Sequence, residues 1–210
     1  MFITFEGIDF CGKSTQAELL KDYLIKKGKK VEFIREPGGT EISEKIRTIL
    51  LDKKNSNMFM ETEFLLFSAS RAQLVREKIR PYLEQGYYVI SDRFHDSATA
   101  YQGFGRGVSL ESVMHVHKLA IGSTVPDLTF IIDITVKEAQ RRKSLKETSE
   151  LDRIEVAGSS FYEKVRAGYI SLAAEDPRFK IIDGTRQIES VHKTIIEEIS
   201  LFEMKENYDE

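Results

Sequence analysis

The sequence predicts an α/β protein of three layers, in which a five-stranded parallel sheet carries helices on both faces. Two observations lead to this prediction. Apolar runs of strand length alternate with segments of helical periodicity along most of the 210 residues, and a glycine-rich segment follows the first run. With 41% hydrophobic residues, the chain can fill one core, so we expect a single domain over residues 1–210.

The individual elements follow from the apolar pattern. Strands are predicted at residues 2–5, 31–34, 87–90, 128–134 and 180–182. Helices are predicted at residues 14–27, 42–49, 62–83, 110–121, 162–174 and 188–202. The polar segment 203–210 is expected to fray. Because strands and helices alternate, right-handed crossovers should bring the carboxyl ends of the strands to one edge of the sheet, where ligands bind.

Composition excludes several classes of protein. The net charge of −3 gives no general positive field, so we expect neither nucleic acid nor a membrane surface as a partner. The single cysteine, Cys11, excludes an internal disulfide and fits a reducing cytoplasm. No apolar run reaches the length of about 18 residues that a membrane span requires, and no secretory leader is expected.

The strongest motif is a phosphate cradle at residues 7–14, where GIDFCGKS matches GxxxxGK(S/T) between a predicted strand and a predicted helix. In such a loop Lys13 neutralises the β- and γ-phosphates and the Ser14 hydroxyl ligates Mg²⁺. A glycine turn without function would not explain the strand and helix on either side. The residues predicted to bind ATP phosphates are Gly7, Ile8, Asp9, Phe10, Cys11, Gly12, Lys13, Ser14 and Thr15.

A phosphate cradle alone does not distinguish a switch GTPase, a motor ATPase and a small kinase. The chain lacks an Asn-Lys-x-Asp segment for reading guanine, and it is short for a motor ATPase. A small-molecule kinase therefore remains. Two alternatives stay open, a kinase for another nucleotide or nucleoside and a nucleotide-binding regulatory module without catalysis.

The acceptor side is indicated by charged residues at the end of a strand. Asp92 and Arg93 follow the predicted strand at 87–90, so both should lie beside the cradle. A carboxylate there can hold Mg²⁺ water or orient the acceptor, and a guanidinium can neutralise charge during phosphoryl transfer. The alternative is an ion pair at the surface.

On the long predicted helix, Phe67 and Arg71 are four residues apart and share one face. An aromatic ring and a guanidinium in this arrangement can stack on a base and read its edge. Phe64 and Leu74 belong to the same face. The alternative is therefore that this face packs in the hydrophobic core and that Arg71 only extends from it to solvent.

Several segments together resemble bacterial thymidylate kinase. They are FEGID at 5–9, REPGGT at 35–40, LFSASRAQ at 66–73 and the stretch from DRF at 92–94 to residue 107. The resemblance covers almost the whole chain. It implies the P-loop nucleoside monophosphate kinase fold, transfer of the γ-phosphoryl group of ATP to dTMP with Mg²⁺, and a homodimer.

The resemblance also implies roles for individual residues. It assigns catalysis to Lys13, Asp92 and Arg93, and metal ligation to Ser14 and Asp92. The residues implied to bind dTMP are Asp9, Arg35, Pro37, Phe67, Arg71, Arg93, Ser97, Tyr101 and Gln102. Each of these residues can also have a purely structural role. Asp9 can stabilise its own loop, Arg35 can be an exposed turn residue, and residues 97–102 can simply pack on the sheet.

A mobile lid is expected at about residues 142–153. Phe10 and Cys11 fill the variable cradle positions, so the cradle contributes no further basic residue. The resemblance to the lid-type members then implies that Arg153, in the segment DRIE at 152–155, is a catalytic cation. Residues 151–155 are predicted to begin a helix. A solvated basic loop is the alternative.

Two smaller expectations concern the donor side. Arg141 and Arg142 are predicted to line the adenine side of the ATP site. Cys11 lies near a helix amino terminus and a lysine, both of which can lower the pKa of its thiol. The alternative is a small side chain that only fills the loop.

Overall fold

The sheet has five parallel strands, as predicted. The structure, a computed structural model, describes residues 1–145, 151–155 and 157–209. The strands are β1 (Phe2–Glu6), β2 (Val31–Arg35), β3 (Tyr88–Asp92), β4 (Leu128–Asp133) and β5 (Phe179–Asp183). They lie in the order β2-β3-β1-β4-β5, so β1 is central.

Helices connect all of these strands. They are α1 (Lys13–Lys26), α2 (Glu41–Leu51), α3 (Met60–Leu74), α4 (Arg80–Glu84), α5 (His95–Ala98), α6 (Leu110–Ile121), α7 (Val136–Leu145), α8 (Ser159–Glu175) and α9 (Ile188–Asp209). Within the described ranges, none of them is long and apolar enough to cross a membrane. α9 continues past its predicted end at residue 202, so residues 203–209 are helical rather than frayed.

The long helix predicted at 62–83 is interrupted. α3 passes into a π-helical segment at Val75–Ile79, and α4 follows. Pro81 lies in the first turn of α4 and has no N–H to continue the regular hydrogen-bond pattern, which accounts for the break. A second π-helical segment, Thr99–Gly105, continues directly from α5 and forms one wall of the candidate site.

The strand register brings three loops to one edge of the sheet. In the ladder between β1 and β3, Phe5 is opposite Asp92, and in that between β2 and β3, Arg35 is opposite Asp92. The loop after β1 therefore lies between the end of β3 on one side and the end of β4 on the other. This position allows one loop to contact ligands from both halves of the sheet.

Hydrophobic layers cover both faces of the sheet, which explains why β1 is buried along its whole length. On one face, α1 contributes Leu20 and α9 contributes Ile195 to the larger cluster. On the other face, Leu74 of α3 packs in a second cluster with Ile121 of α6. The three-layer prediction is confirmed.

Two substitutions on α1 test this packing. Leu20 is fully buried, so Leu20→Ala should lower the free energy of unfolding by about 2–5 kcal/mol, because it leaves a cavity. Ile25 lies on the exposed side of the same helix, and Ile25→Ala should change it by less than about 0.5 kcal/mol. Urea unfolding followed by circular dichroism measures both. Equal losses would show that α1 is packed in another rotation.

Candidate active site

The loop between β1 and α1 has the backbone of a phosphate cradle. Gly7 and Gly12 have φ values of 133° and 100°, which only glycine adopts readily. A Cβ on Gly7 would lie 2.6 Å from the carbonyl oxygen of Ile132, so no larger residue fits there. α1 begins at Lys13, and its amino terminus adds partial positive charge to the loop.

A cavity of about 580 Å³, here called the donor cavity, opens beside the cradle. Its wall includes the predicted residues from Asp9 to Thr15. Arg142 also lines it, and its guanidinium donates to the carbonyl oxygens of Cys11 at 3.1 Å and Gly184 at 2.7 Å. Arg186, which sequence reasoning missed, lines the same cavity.

Two expectations for the donor side are not met. Arg141 pairs with Glu138 on its own helix and is 60% exposed, so the structure does not bring it to the donor cavity. The expectation of a lowered thiol pKa at Cys11 is wrong. Burial raises that pKa, and this effect exceeds the opposing influence of the Lys13 charge.

A second cavity, of about 390 Å³ and here called the acceptor cavity, lies on the β2–β3 side of the cradle. All nine residues predicted for the acceptor line it: Asp9, Arg35, Pro37, Phe67, Arg71, Arg93, Ser97, Tyr101 and Gln102. The two cavities share four residues, which are Asp9, Lys13, Ser14 and Glu155. They therefore meet at the cradle.

Arg93 and Asp9 form the polar centre between the cavities. The Arg93 guanidinium donates to the Asp9 carboxylate at 2.5 Å and to the carbonyl oxygen of Gly7 at 3.1 Å, and it lies over the Tyr101 ring at 4.9 Å. Lys13 lies 3.7 Å from the same carboxylate. Arg93 adopts a φ of 71°, an uncommon value for a residue with a side chain, which is typical of a functional site.

Glu6, which was not predicted as a site residue, binds the groups that surround Arg93. Its carboxylate accepts hydrogen bonds from Phe94 N–H at 2.7 Å, from Ser97 at 2.5 Å and from Tyr169 at 2.8 Å. Ser97 and Tyr169 in turn accept from the Arg93 guanidinium. Burial raises the pKa of Glu6 to about 7.

The face of α3 that carries Phe67 and Arg71 is turned toward the acceptor cavity. Arg71 is only 1% exposed and is not a surface residue that extends out of a core stripe. Its Nε donates to Glu36 at 2.7 Å and its Nη2 to the carbonyl oxygen of Phe94 at 3.3 Å. Its Nη1 is buried, and within the described ranges it has no hydrogen-bond partner.

The remaining polar groups of the acceptor cavity lie at the strand ends. Arg35 is half exposed and lies 3.7 Å from Glu44. Arg47, which was not predicted, lines the cavity and donates to the carbonyl oxygen of Pro37 at 2.7 Å. Asp92 presents a buried Oδ1 that has no partner among the described residues.

The structure places Arg153 away from both cavities. Its Nη1 lies 2.7 Å from the buried Glu63 carboxylate, and its Nε donates to the carbonyl oxygen of Leu50. This pairing neutralises Glu63 and explains why Arg153 does not contact the cradle. Residues 151–155 contain a turn rather than the predicted start of a helix. Residues 146–150 of the expected lid lie outside the described residues, so lid motion stays a prediction.

The pH dependence of stability tests the Asp9 cluster. Although burial raises the pKa of Asp9, the charges of Arg93 and Lys13 and the hydrogen bonds from two tyrosines lower it to about 2. This carboxylate therefore stabilises the fold above its unfolded pKa, and the contribution is lost as the pH falls toward 2. Between pH 5 and 2, wild type should lose about 2 kcal/mol more unfolding free energy than Asp9→Asn. Urea titrations across this range measure the difference, and parallel curves would contradict the assigned contacts.

Three comparisons with known proteins lead to the same family. A sequence model of the thymidylate kinase family matches residues 5–195. A thymidylate kinase from Thermoanaerobacter sp. is 48% identical over 202 residues, covering 96% of this chain and 98% of the relative. One from Thermosipho africanus is 52% identical over 200 residues, covering 94% and 98%. The crystal structure of thymidylate kinase from Ehrlichia chaffeensis superimposes with a TM-score of 0.77 at 35% identity, covering 95% of this chain and 98% of that one.

Proposed function

Because this chain belongs to the thymidylate kinase family and catalyses the ATP-dependent phosphorylation of dTMP to dTDP, we propose that the donor cavity binds ATP and the acceptor cavity binds dTMP. The observation that carries this assignment is the meeting of the two cavities at Asp9, Lys13 and Ser14. Two nucleotides bound in this way would have their phosphates end to end at the cradle, as direct transfer requires.

The proposed catalysis depends on positioning and charge neutralisation. Lys13 neutralises the terminal phosphates of ATP, and Arg93 binds the acceptor phosphate and the migrating group. The dTMP phosphate is already a nucleophile, so no strong general base is needed. Arg93 lines the acceptor cavity and pairs with Asp9, which lines both cavities, and this position supports the role.

We propose Mg²⁺ as the cofactor, held through Ser14 and Asp92. A hydroxyl and a carboxylate are the hard oxygen ligands that Mg²⁺ prefers, and the buried Asp92 Oδ1 without a partner fits such a role. Among the described residues, no group of three or more carboxylate, histidine or cysteine side chains is arranged so that it could hold a metal ion by itself. Mg²⁺ in phosphate sites needs no such cluster, since phosphate and water supply most ligands. The ion, when bound, neutralises the charge of the transferring phosphates.

For the nucleoside of dTMP, we propose that Phe67 stacks on thymine and that the Nη1 of Arg71 donates to a thymine carbonyl. The buried Nη1 without a partner supports this role, because a buried donor costs free energy until it is paired. Asp9 is proposed to accept from the 3′-hydroxyl, and Tyr101 to lie near the sugar. Arg35 is proposed to bind the acceptor phosphate.

An ADP-release assay with a panel of nucleoside monophosphates tests the assignment of the acceptor. Turnover should be highest with dTMP. Preference for a different nucleotide would favour another monophosphate kinase, and ATP binding without turnover on any acceptor would favour a regulatory module.

Two arginines of the acceptor cavity should give different kinetic effects. Arg71→Ala should mainly raise the KM for dTMP, by about tenfold or more, because it removes a base contact. Arg93→Ala should abolish turnover, because it removes charge neutralisation during transfer. The control is Arg141→Ala, which removes an exposed arginine. Unaltered dTMP kinetics in Arg71→Ala would contradict the base site.

We propose that the protein is a homodimer that uses exposed apolar residues on α3 and α6. Leu65 of α3 and Met114 and Leu119 of α6 are large apolar residues with more than half of their surface exposed. Large exposed apolar residues on two helices that pack together fit a protein interface. Leu119, at 76% exposure, is the most exposed of the three.

A charged residue at position 119 tests the dimer. Leu119→Glu should shift the protein toward the monomer, because burying an unpaired carboxylate in an interface is unfavourable. Size-exclusion chromatography with light scattering measures the mass, and Ile181→Glu, at an exposed residue of β5, is the control. A wild-type monomer, or a variant dimer of unchanged affinity, would contradict this interface.

We also propose that the enzyme acts in the cytoplasm. Its only cysteine, Cys11, is free, which fits a reducing compartment. ATP and dTMP are intracellular metabolites, so the location follows from the substrates.

A further inference from the structure

A buried carboxylate lies behind the acceptor cavity without lining it. Glu63, on α3, is 2% exposed. Its Oε1 accepts a hydrogen bond from Nε2 of Gln102 at 3.0 Å, and its Oε2 lies 2.7 Å from Nη1 of Arg153. Arg106 donates to the same carboxylate at 3.3 Å. Of these three partners, only Gln102 lines the acceptor cavity.

The surroundings keep Glu63 ionised. Burial by itself raises its pKa, but the hydrogen bond from Gln102 and the charges of Arg106 and Arg153 together lower the pKa below its ordinary value. An ionised carboxylate can only accept hydrogen bonds. Gln102 must therefore present its NH₂ group to Glu63.

This contact determines what Gln102 can offer to a ligand. With the NH₂ group bound to Glu63, the carbonyl Oε1 remains as the acceptor on the side of the cavity. Among the described residues, no hydrogen bond to this oxygen occurs that would occupy it. On the same side, the free Nη1 of Arg71 is a donor. The cavity thus combines one donor and one acceptor of fixed identity.

We propose that Glu63 is a positioning residue that determines base specificity, because it fixes the amide of Gln102 with the carbonyl toward the base. The inference rests on the proposed binding of dTMP in the acceptor cavity. Thymine and uracil present a carbonyl acceptor beside the N3–H donor, which complements Arg71 and Gln102. Cytosine presents an amino donor beside an N3 acceptor, which opposes both groups.

Three residues that act on the base lie on one helix, α3. Glu63, Phe67 and Arg71 follow one another at intervals of four residues and lie on the same face of α3. Phe67 and Arg71 line the cavity directly, whereas Glu63 acts on it through Gln102. A single helix face would therefore supply the stacking, the donor and the control of the acceptor.

The test replaces Glu63 by its uncharged isostere. In Glu63→Gln, the new amide can donate as well as accept, so Gln102 is free to reverse its own amide. The ratio of kcat/KM for dTMP to that for dCMP should fall by about tenfold, the upper end of the effect of one hydrogen bond between neutral groups. The ratio for dTMP to dUMP should stay unchanged, since uracil presents the same donor and acceptor. A merely structural defect would lower kcat/KM for dTMP, dCMP and dUMP by the same factor and leave both ratios unchanged.

Two further variants keep the result interpretable. Glu61→Gln makes the same change at an exposed site on α3 and should keep the wild-type ratios. Glu63→Gln leaves Arg106 and Arg153 without their counter-ion and can therefore prevent folding. If Glu63→Gln does not fold, Gln102→Leu replaces it in the test. Gln102→Leu should lower the ratio of kcat/KM for dTMP to that for dCMP in the same way. An unchanged ratio in a folded variant of either kind would overturn the inference. Wild type that fails to phosphorylate dTMP would instead refute the proposed function.

Discussion

The ion pair between Arg93 and Asp9 joins the end of β3 to the loop after β1, and the arrangement of the two cavities depends on it. Asp9 belongs to the phosphate cradle, whereas Arg93 begins the segment that forms the acceptor wall. Their contact fixes the distance between these two parts of the site. Arg93 makes this contact from a backbone with a φ of 71°, directly after the last residue of β3. Glu6 then holds the neighbouring hydroxyl groups that keep the guanidinium in place.

Carboxylates recur beside the arginines of the site for a simple electrostatic reason. Several cations close together would repel one another, and each would adopt many side-chain positions. Glu36 beside Arg71 in the acceptor cavity, and Glu63 beside Arg153 outside both cavities, reduce these problems, since each carboxylate accepts from one guanidinium and fixes its position. These pairs are buried, so removal of one partner typically costs about 3–5 kcal/mol. Negative residues therefore hold the arginines of the site in place, although its substrates are anions.

The sequence was sufficient for the parts of the structure that depend on neighbouring residues. The five strands and the cradle could be predicted because apolar runs and glycine positions are local signals. The residues that line the acceptor cavity could be predicted because the resemblance covered them with specific motifs. The interruption of the long helix was missed although Pro81, inside the predicted helix, is a local signal of a break. The burial of Cys11 was missed because it depends on packing that periodicity does not describe. Glu63 shares the four-residue spacing of Phe67 and Arg71, and this signal could have identified it.

Other features required the fold because their partners are far apart in the chain. Glu6 contacts Tyr169 and Glu63 contacts Arg153, and no spacing in the sequence indicates either pair. The prediction for Arg153 assumed that a basic residue near the lid must face the phosphates. The structure offers it a buried carboxylate instead, and a cation in a dry environment binds the nearest anion.

The central position of β1 in the sheet has an evolutionary consequence. The acceptor cavity is built on β2 and β3, whereas the donor cavity lies beside the ends of β4 and β5, and the two share the loop after β1 together with Glu155. Mutations in one half can therefore alter the preference for one nucleotide while the other is recognised as before. A fold with this division can acquire new phosphate acceptors by gene duplication and divergence without rebuilding its ATP site.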